Sequence, residues 1–283
     1  MVFLTPWAFG FLLFTVLPII ASLIISFTDY NILKPPHWVG GRNYVQMLTK
    51  DPLFWHSLKI TLTYTLGVVP SSLVVGYLLA VLLNQGVRGL SVFRTLFYLP
   101  SVTPAVAASL MWLWVFHPDV GVVNTALKSI GINGPRWMAD PHWALVTFMI
   151  MAVWGVGGGM IIYLAGLQSV PTALYESAEL DGAAAWTKFW SITVPMTSPV
   201  IFFNVVTGVI NTLQSFVNSF VMTDGGPDNA TLFFMLHLYN NAWRYLKMGY
   251  GSSMAWFLFI VIMGMTVLLL KAGGRVVYYE AGR

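Results

Sequence analysis

The chain has 283 residues, of which 57% are hydrophobic and only 8% charged, and its mean hydropathy is +0.74. A soluble domain carries about 25% charged residues, so a water-soluble fold is excluded and the chain is read as an all-α integral membrane protein. The net charge of +4 comes from few charges spread along loops, which gives nucleic acid no footprint, and the absence of cysteine excludes disulfides and thiolate sites.

Six apolar stretches reach the ~20 residues a spanning helix needs: residues 3–27, 60–83, 96–116, 143–167, 199–222 and 254–270. The first has no basic residue ahead of it, is too long for a signal peptide's apolar region, and ends at Thr28-Asp29 without a small-residue cleavage site. It is read as a retained span kinked near Pro18. A long loop, 29–59, follows, punctuated by Gly40-Gly41. The second and third spans are joined by a short basic connection, 84–94, with Arg88 and Arg94. Loop 117–142 carries Asn133-Gly134-Pro135 and leads to the fourth span. Inside that span lies Gly155-Val156-Gly157-Gly158-Gly159. It lacks the Lys-Ser/Thr of a phosphate loop and sits in an apolar run, so it reads as close helix packing or a local unwinding beside a pore.

The connection 168–198 leads to the fifth span, and loop 223–250, with Gly225-Gly226-Pro227, leads to the sixth. Twelve Trp and twelve Tyr suit aromatic belts at two membrane interfaces. Six spans put both termini on the side of 84–94 and 168–198. That side, with Arg88, Arg94, Lys188, Lys271, Arg275 and Arg283, is slightly richer in basic residues for its length, which favours its being cytoplasmic.

None of the six spans contains Asp, Glu, Lys or Arg. Ion-coupled carriers usually need an intramembrane ionisable group to bind and release the coupling charge. The chain has no G-x-x-x-x-G-K-[ST] loop, and its five His are scattered, so neither ATP nor a metal is expected to bind to it. An intrinsic enzyme is not expected. The energy source is placed in another subunit.

In the fifth span Asn204, Thr207, Asn211, Gln214 and Asn218 recur at steps of three and four, which on a continuous helix puts all five on one face. Amides in hydrocarbon are costly unless paired, so this face must meet protein or water. It could bond to neighbouring helices, or offer donors and acceptors to a neutral, hydroxyl-rich solute. Asn211, Gln214 and Asn218 are the candidate substrate path; Asn204 reads as packing.

The connection between the fourth and fifth spans holds Glu176-Ser177-Ala178, then Gly182, then Ile192-Thr193-Val194-Pro195. It reads as a short helix that starts near Pro171 and is stopped by Gly182 in a left-handed turn. Glu176, Glu179 and Asp181 place acid on an otherwise apolar element. A helix lying on the membrane is the competing reading, and its usual Lys and Arg are missing. The spacing resembles the cytoplasmic EAA signature of permeases driven by ATP-binding cassettes, with Ser177 in place of Ala and Val194 in place of Leu. The resemblance implies a coupling loop, 169–195, whose Glu176, Ser177, Ala178, Glu179, Asp181, Gly182, Ile192 and Pro195 meet an ATPase subunit.

The resemblance runs through the whole chain and is to the carbohydrate branch, the larger-type permease of maltose and glycerol-3-phosphate importers. It is carried by Phe27-Thr28-Asp29-Tyr30, by Val39-Gly40-Gly41-Arg42-Asn43-Tyr44 with Asp51-Pro52-Leu53-Phe54-Trp55, and by Phe93-Arg94-Thr95-Leu96-Phe97-Tyr98-Leu99-Pro100. Met222-Thr223-Asp224-Gly225-Gly226-Pro227 with Ala230-Thr231, then Gly249-Tyr250-Gly251, complete it. The branch leads one to expect a short basic tail ahead of the first span, which these 283 residues do not include.

The resemblance implies one permease domain over 1–283 with the six transmembrane helices of the type I importer architecture. It places the chain in the cytoplasmic (inner) membrane of a bacterium or archaeon. Its expected partners are a second homologous permease, two ATP-binding-cassette subunits that hold ATP and Mg, and an extracytoplasmic sugar-binding protein. The alternatives are an ion-coupled secondary transporter and a membrane assembly subunit that transports nothing.

Overall fold

The computed structural model describes residues 4–85 and 89–276, so Phe3, Arg88 and Arg283, which enter the span and charge arguments above, lie outside the described residues. Four helices are long and apolar enough to cross a membrane, and up to six spans are reached if two bent helix pairs each count as one. All secondary structure among the described residues is helical apart from two isolated β-bridges.

The first span comprises α1 (Thr5–Phe11), a π-helical turn (Leu12–Val16) and α2 (Leu17–Ser26). Pro18 has no N–H to give to residue 14, and the widened turn stands just ahead of it. Asn43, at the start of α3 (Arg42–Thr49), donates through Nδ2 to the carbonyls of Ser26 and Thr28, each at 2.8 Å, and so holds the end of this span.

The long helix α4 (Pro52–Leu83) starts at Pro52 rather than at residue 60. Asp51 is its cap: its Oδ1 accepts from the amides of Leu53 at 2.9 Å and Phe54 at 3.2 Å, while Pro52 occupies the first turn, where a missing N–H costs nothing. The other carboxylate oxygen, Oδ2, accepts from Tyr250 Oη at 2.6 Å and His237 Nε2 at 2.8 Å. One side chain thus ties α4 to α14 (Phe234–Tyr239) and α15 (Met248–Val276). Burial alone would raise the Asp51 carboxyl. The bonds from Tyr250 and His237, the His237 charge and the Leu53 amide outweigh it and hold the group below the usual carboxylate range.

The third predicted span is not a single helix. It is split into α5 (Leu90–Val102) and α6 (Ala105–Val115), bent by 99°. Pro104 forces Thr103 out of the helical region (φ −70, ψ 129) and caps the second half. Loop 117–142 carries α7 (Val122–Ser129), anchored where Asn124 accepts from Trp137 Nε1 at 2.7 Å.

The fourth predicted span is also broken, into α8 (Pro141–Trp154) and α9 (Gly157–Gln168), bent by 43°. The glycine run is both a helix break and a close helix contact, although the contact is at Gly157 rather than at Gly155 and Gly159. The helix is interrupted at Gly155-Val156, and Gly157 lies directly against the Phe97 and Tyr98 backbone of α5. A side chain at 157 would overlap the Phe97 carbonyl oxygen and lie 2.8 Å from Tyr98 Cα. Glycine permits the closest approach of these two helices.

After the short α10 (Thr172–Leu180), the chain forms one long helical run from 185 to 222. It consists of α11 (Ala185–Lys188), a π turn (Phe189–Thr193), α12 (Val194–Leu213) and, beyond an interruption at 214–216, α13 (Val217–Met222). Two buried clusters fill the interior on either side of α4, one around Phe148 and Phe233 and the other around Phe54, Phe234 and Met254. A third, around Tyr77, Met160 and Leu164, packs the end of α4 nearest α10.

Candidate functional site

The α10 segment shows why the signature has its spacing. Gly182 has φ +74, the amide of Gly182 donates to Glu179 O at 3.0 Å, and that of Ala183 donates to Ala178 O at 2.9 Å. These are the paired bonds of a left-handed helix stop, in which the glycine must stand four residues after the alanine whose carbonyl is reached. A β-carbon on Gly182 would meet nothing within 4 Å in this chain, so its backbone angle is what selects glycine.

Two side-chain bonds fix how α10 lies against the long helix. Tyr175 Oη pairs with Thr193 Oγ1 at 3.0 Å, and Lys188 Nζ donates to Glu179 Oε1 at 2.7 Å. Tyr175 and Glu179 are four apart and share one face of α10. The Lys188 bond and charge hold the Glu179 carboxyl below its ordinary range.

The opposite face presents Ala173, Glu176, Ser177 and Leu180 to the outside, with Leu180 91% exposed. Asp181 is also exposed, and Ala178 is half-buried. Glu179 is exposed as well, but its carboxylate is taken up by Lys188. Ile192 and Pro195 are not in a loop at all: Ile192 lies in the π turn and Pro195 in the first turn of α12, both half-buried. Sequence reasoning missed Tyr175, Lys188 and Thr193. Their signal was the four-residue step between Tyr175 and Glu179, matched by a basic residue and a hydroxyl just past Gly182.

An apolar cavity of about 930 Å³ opens beside these contacts, between the last turns of α4 and the Trp186–Trp190 segment. Trp186 and Trp190 are themselves exposed, and their rings meet edge to face at 5.7 Å.

The polar stripe divides into three. Asn204, Thr207 and Asn211 line a second cavity, of about 310 Å³, with Ser72, Tyr163 and Thr212. Asn204 is additionally bonded to Val200 O at 3.0 Å. Gln214 ends α12, exposed, with its amide turned back onto Ile210 O at 3.1 Å. Asn218 lies beyond the interruption and accepts from Ser109 of α6 at 3.1 Å. A continuous helix would have put all five on one face; the break at 214–216 prevents it. Among the described residues no group of His, Cys, Asp and Glu is arranged to hold a metal.

Residues 72–277 match the family described as binding-protein-dependent transport system inner membrane component. Over 283 residues the chain is 40% identical to the probable ABC transporter permease protein YesP of Bacillus subtilis (strain 168), covering 99% of this chain and 91% of that one. It is 36% identical to the lactose transport system permease protein LacF of Rhizobium radiobacter, covering 92% and 88%. Its fold superposes with a TM-score of 0.87, at 23% identity and over 100% of this chain and 95% of the other, on a chain of a bacterial alginate ABC transporter crystallised with an alginate pentasaccharide-bound periplasmic protein. The chain belongs to the inner membrane components of binding-protein-dependent transport systems.

Proposed function

We propose that this permease is one membrane half of an ATP-driven carbohydrate importer. A second homologous permease completes the pathway, two ATP-binding-cassette subunits dock from the cytoplasm, and a sugar-binding protein delivers solute from outside. ATP and Mg are held, and ATP hydrolysed, in the ATPase subunits; this chain binds no cofactor of its own. Both termini lie in the cytoplasm. The carbohydrate reading rests on relatives whose names specify lactose transport and an alginate transporter, and on the uncharged, amide-lined cavity at Asn204, Thr207 and Asn211.

The observation that carries coupling is the mounting of α10 on the long helix by two side-chain bonds. One face is bonded through Tyr175 and Glu179 to the start of the long helix, and the other offers Ala173, Glu176, Ser177 and Leu180. A force on the outward face would pass through these bonds to α12, and so to the wall of the Asn211 cavity. Gly182 sets the angle at which α10 meets that helix.

The test is purification of the chain from its native membrane, followed by reconstitution with its companions. ATP-dependent sugar accumulation that needs all subunits is expected. Accumulation by this chain alone, driven by a proton or sodium gradient, would replace the proposal with a secondary transporter.

A further inference from the structure

The apolar cavity beside the α10 mount is a trough laid along two helices. One wall is a single face of α4, where Leu73, Val74, Tyr77, Leu78, Val81 and Asn84 recur at helical steps. From Leu73 to Gln85 that face runs about 18 Å, close to the roughly 15 Å that one leaflet contributes to the hydrocarbon core. The other wall is the run from Trp186 to Ile201. The floor is closed: Tyr77 meets Phe189 at 6.2 Å between ring centres, and its hydroxyl pairs with Thr197 Oγ1 at 2.7 Å. The rims are open, with Val74 52% and Leu78 50% exposed on one side and Trp190 53% on the other.

Polarity is confined to one end. Asn84 and Gln85 stand where α4 stops, and Lys188 closes the same end, its ammonium bonded to Glu179 Oε1. Tyr175 and Thr193, also in the wall, are bonded to each other. Trp186 and Trp190 flank Lys188, as rings do where a membrane meets water.

Three occupants compete for such a trough. Water is penalised by its apolar walls. A helix about 10 Å across needs about 80 Å² of cross-section, and about 930 Å³ spread over about 18 Å supplies only about 50 Å². A hydrocarbon chain fits both the section and the length. The phosphate that ties such a chain to its headgroup fits the polar end, where an ammonium and two amides donate. We infer that the trough seats a phospholipid of the cytoplasmic leaflet, with one acyl chain along Val74, Leu78 and Val81 and its phosphate at Lys188, Asn84 and Gln85. The orientation proposed above names the leaflet; the site itself does not depend on it. Because Tyr175 and Thr193 belong to the wall, the chain packs against the bond that mounts α10.

The experiment uses the complete complex in liposomes that contain phosphatidylethanolamine with a diazirine midway along one acyl chain. After illumination, labelling along 73–81 is compared with labelling at Leu268 and Leu270, which are exposed near the same end of α15. Attraction of a phosphate to one cation is worth about fivefold in occupancy, and trough labelling should exceed the α15 labelling by at least that factor. Gln85→Glu, at an exposed helix end, sets a negative charge beside the phosphate and should cut trough labelling about fivefold while sparing α15. Val81→Trp fills the trough and should remove most of the label; if that variant does not assemble, Gln85→Glu still decides. Equal labelling of trough and α15 means surrounding lipid only and overturns the site. So does a trough labelled in the isolated chain but not in the complex, which would give it to the second permease, and so does labelling unchanged in Gln85→Glu. A parent preparation that recovers no ATPase subunit removes the importer reading, while labelling of the chain that remains still decides the trough.

Discussion

Replacing Gly157 with alanine adds one methyl group where two helices touch through their backbones. The new β-carbon would overlap the Phe97 carbonyl oxygen and lie 2.8 Å from Tyr98 Cα. Neither atom belongs to a flexible side chain that could swing aside, so α5 and α9 must separate. Overpacking of this kind costs about 1–3 kcal/mol. Alanine recovers about 0.5–1 kcal/mol over glycine within a helix, leaving a net loss of up to about 2.5 kcal/mol. Gly158→Ala is the internal control, since its β-carbon meets only Ser101, at 3.8 Å from Cβ and 3.9 Å from Oγ, which is ordinary contact. Both variants add the same methyl group to the same turn. The assay is thermal denaturation of the purified protein in one detergent, followed by tryptophan fluorescence and by recovery of the monodisperse peak. Gly157→Ala should melt several degrees below the parent and Gly158→Ala at or above it. Equal melting temperatures for the two would refute the claim that backbone contact at Gly157 sets the spacing of α5 and α9.

Asp51→Asn removes the anionic acceptor shared by Tyr250 and His237 and should cost about 1–3 kcal/mol. Because the native Asp51 carboxyl lies below its ordinary range, its contribution is full above that range and is lost as pH falls through the native value. Melting curves taken from neutral pH into acid should therefore fall faster for the parent than for Asp51→Asn; parallel curves would exclude this role. Glu176→Lys reverses charge on the outward face of α10 and should lower uptake and ATPase-subunit recovery about tenfold or more. Glu179→Gln, whose carboxylate is taken up by Lys188, should retain most of both, and the opposite ranking in pull-downs would reverse the assignment of faces. Asn211→Leu should shift the ratio of two competing sugars about three- to tenfold. Asn218→Leu should instead lower the melting temperature and leave that ratio alone, and a changed ratio would place Asn218 on the path.

Hydropathy located every apolar run, because a helix in lipid must be apolar over its length whatever it packs against. It was blind to how the runs bend. The 99° turn between α5 and α6 follows Pro104, a break visible in Leu99-Pro100-Ser101-Val102-Thr103-Pro104 but unmarked by any fall in hydropathy. The early start of α4 was written in Asp51-Pro52, a cap followed by a first-turn proline, yet His56 and Lys59 kept the average too polar to mark a span. The stop at Gly182 was legible because a left-handed residue has a compositional signature. The bonds from Tyr175 and Glu179 depend on the angle the chain takes between Gly182 and Ala185, which no local periodicity encodes. The interruption at 214–216 contains neither glycine nor proline. It lies where Phe216 packs on Phe220 and Tyr239, a long-range contact, and so the amide stripe read as continuous was not.

The π turn at Phe189–Thr193 has a consequence for changes of chain length. Such a turn is an α-helix holding one extra residue. Deleting a single residue from 189–193 would let the helix close into regular turns with α10 on one side and the Asn211 cavity on the other still in their present orientations. Deleting one from the middle of α12 would swing everything beyond it by about 100° around the helix axis. A one-residue deletion scan along 185–213 should accordingly show a narrow window of tolerated shortening at the turn, bounded on both sides by positions where the protein no longer assembles.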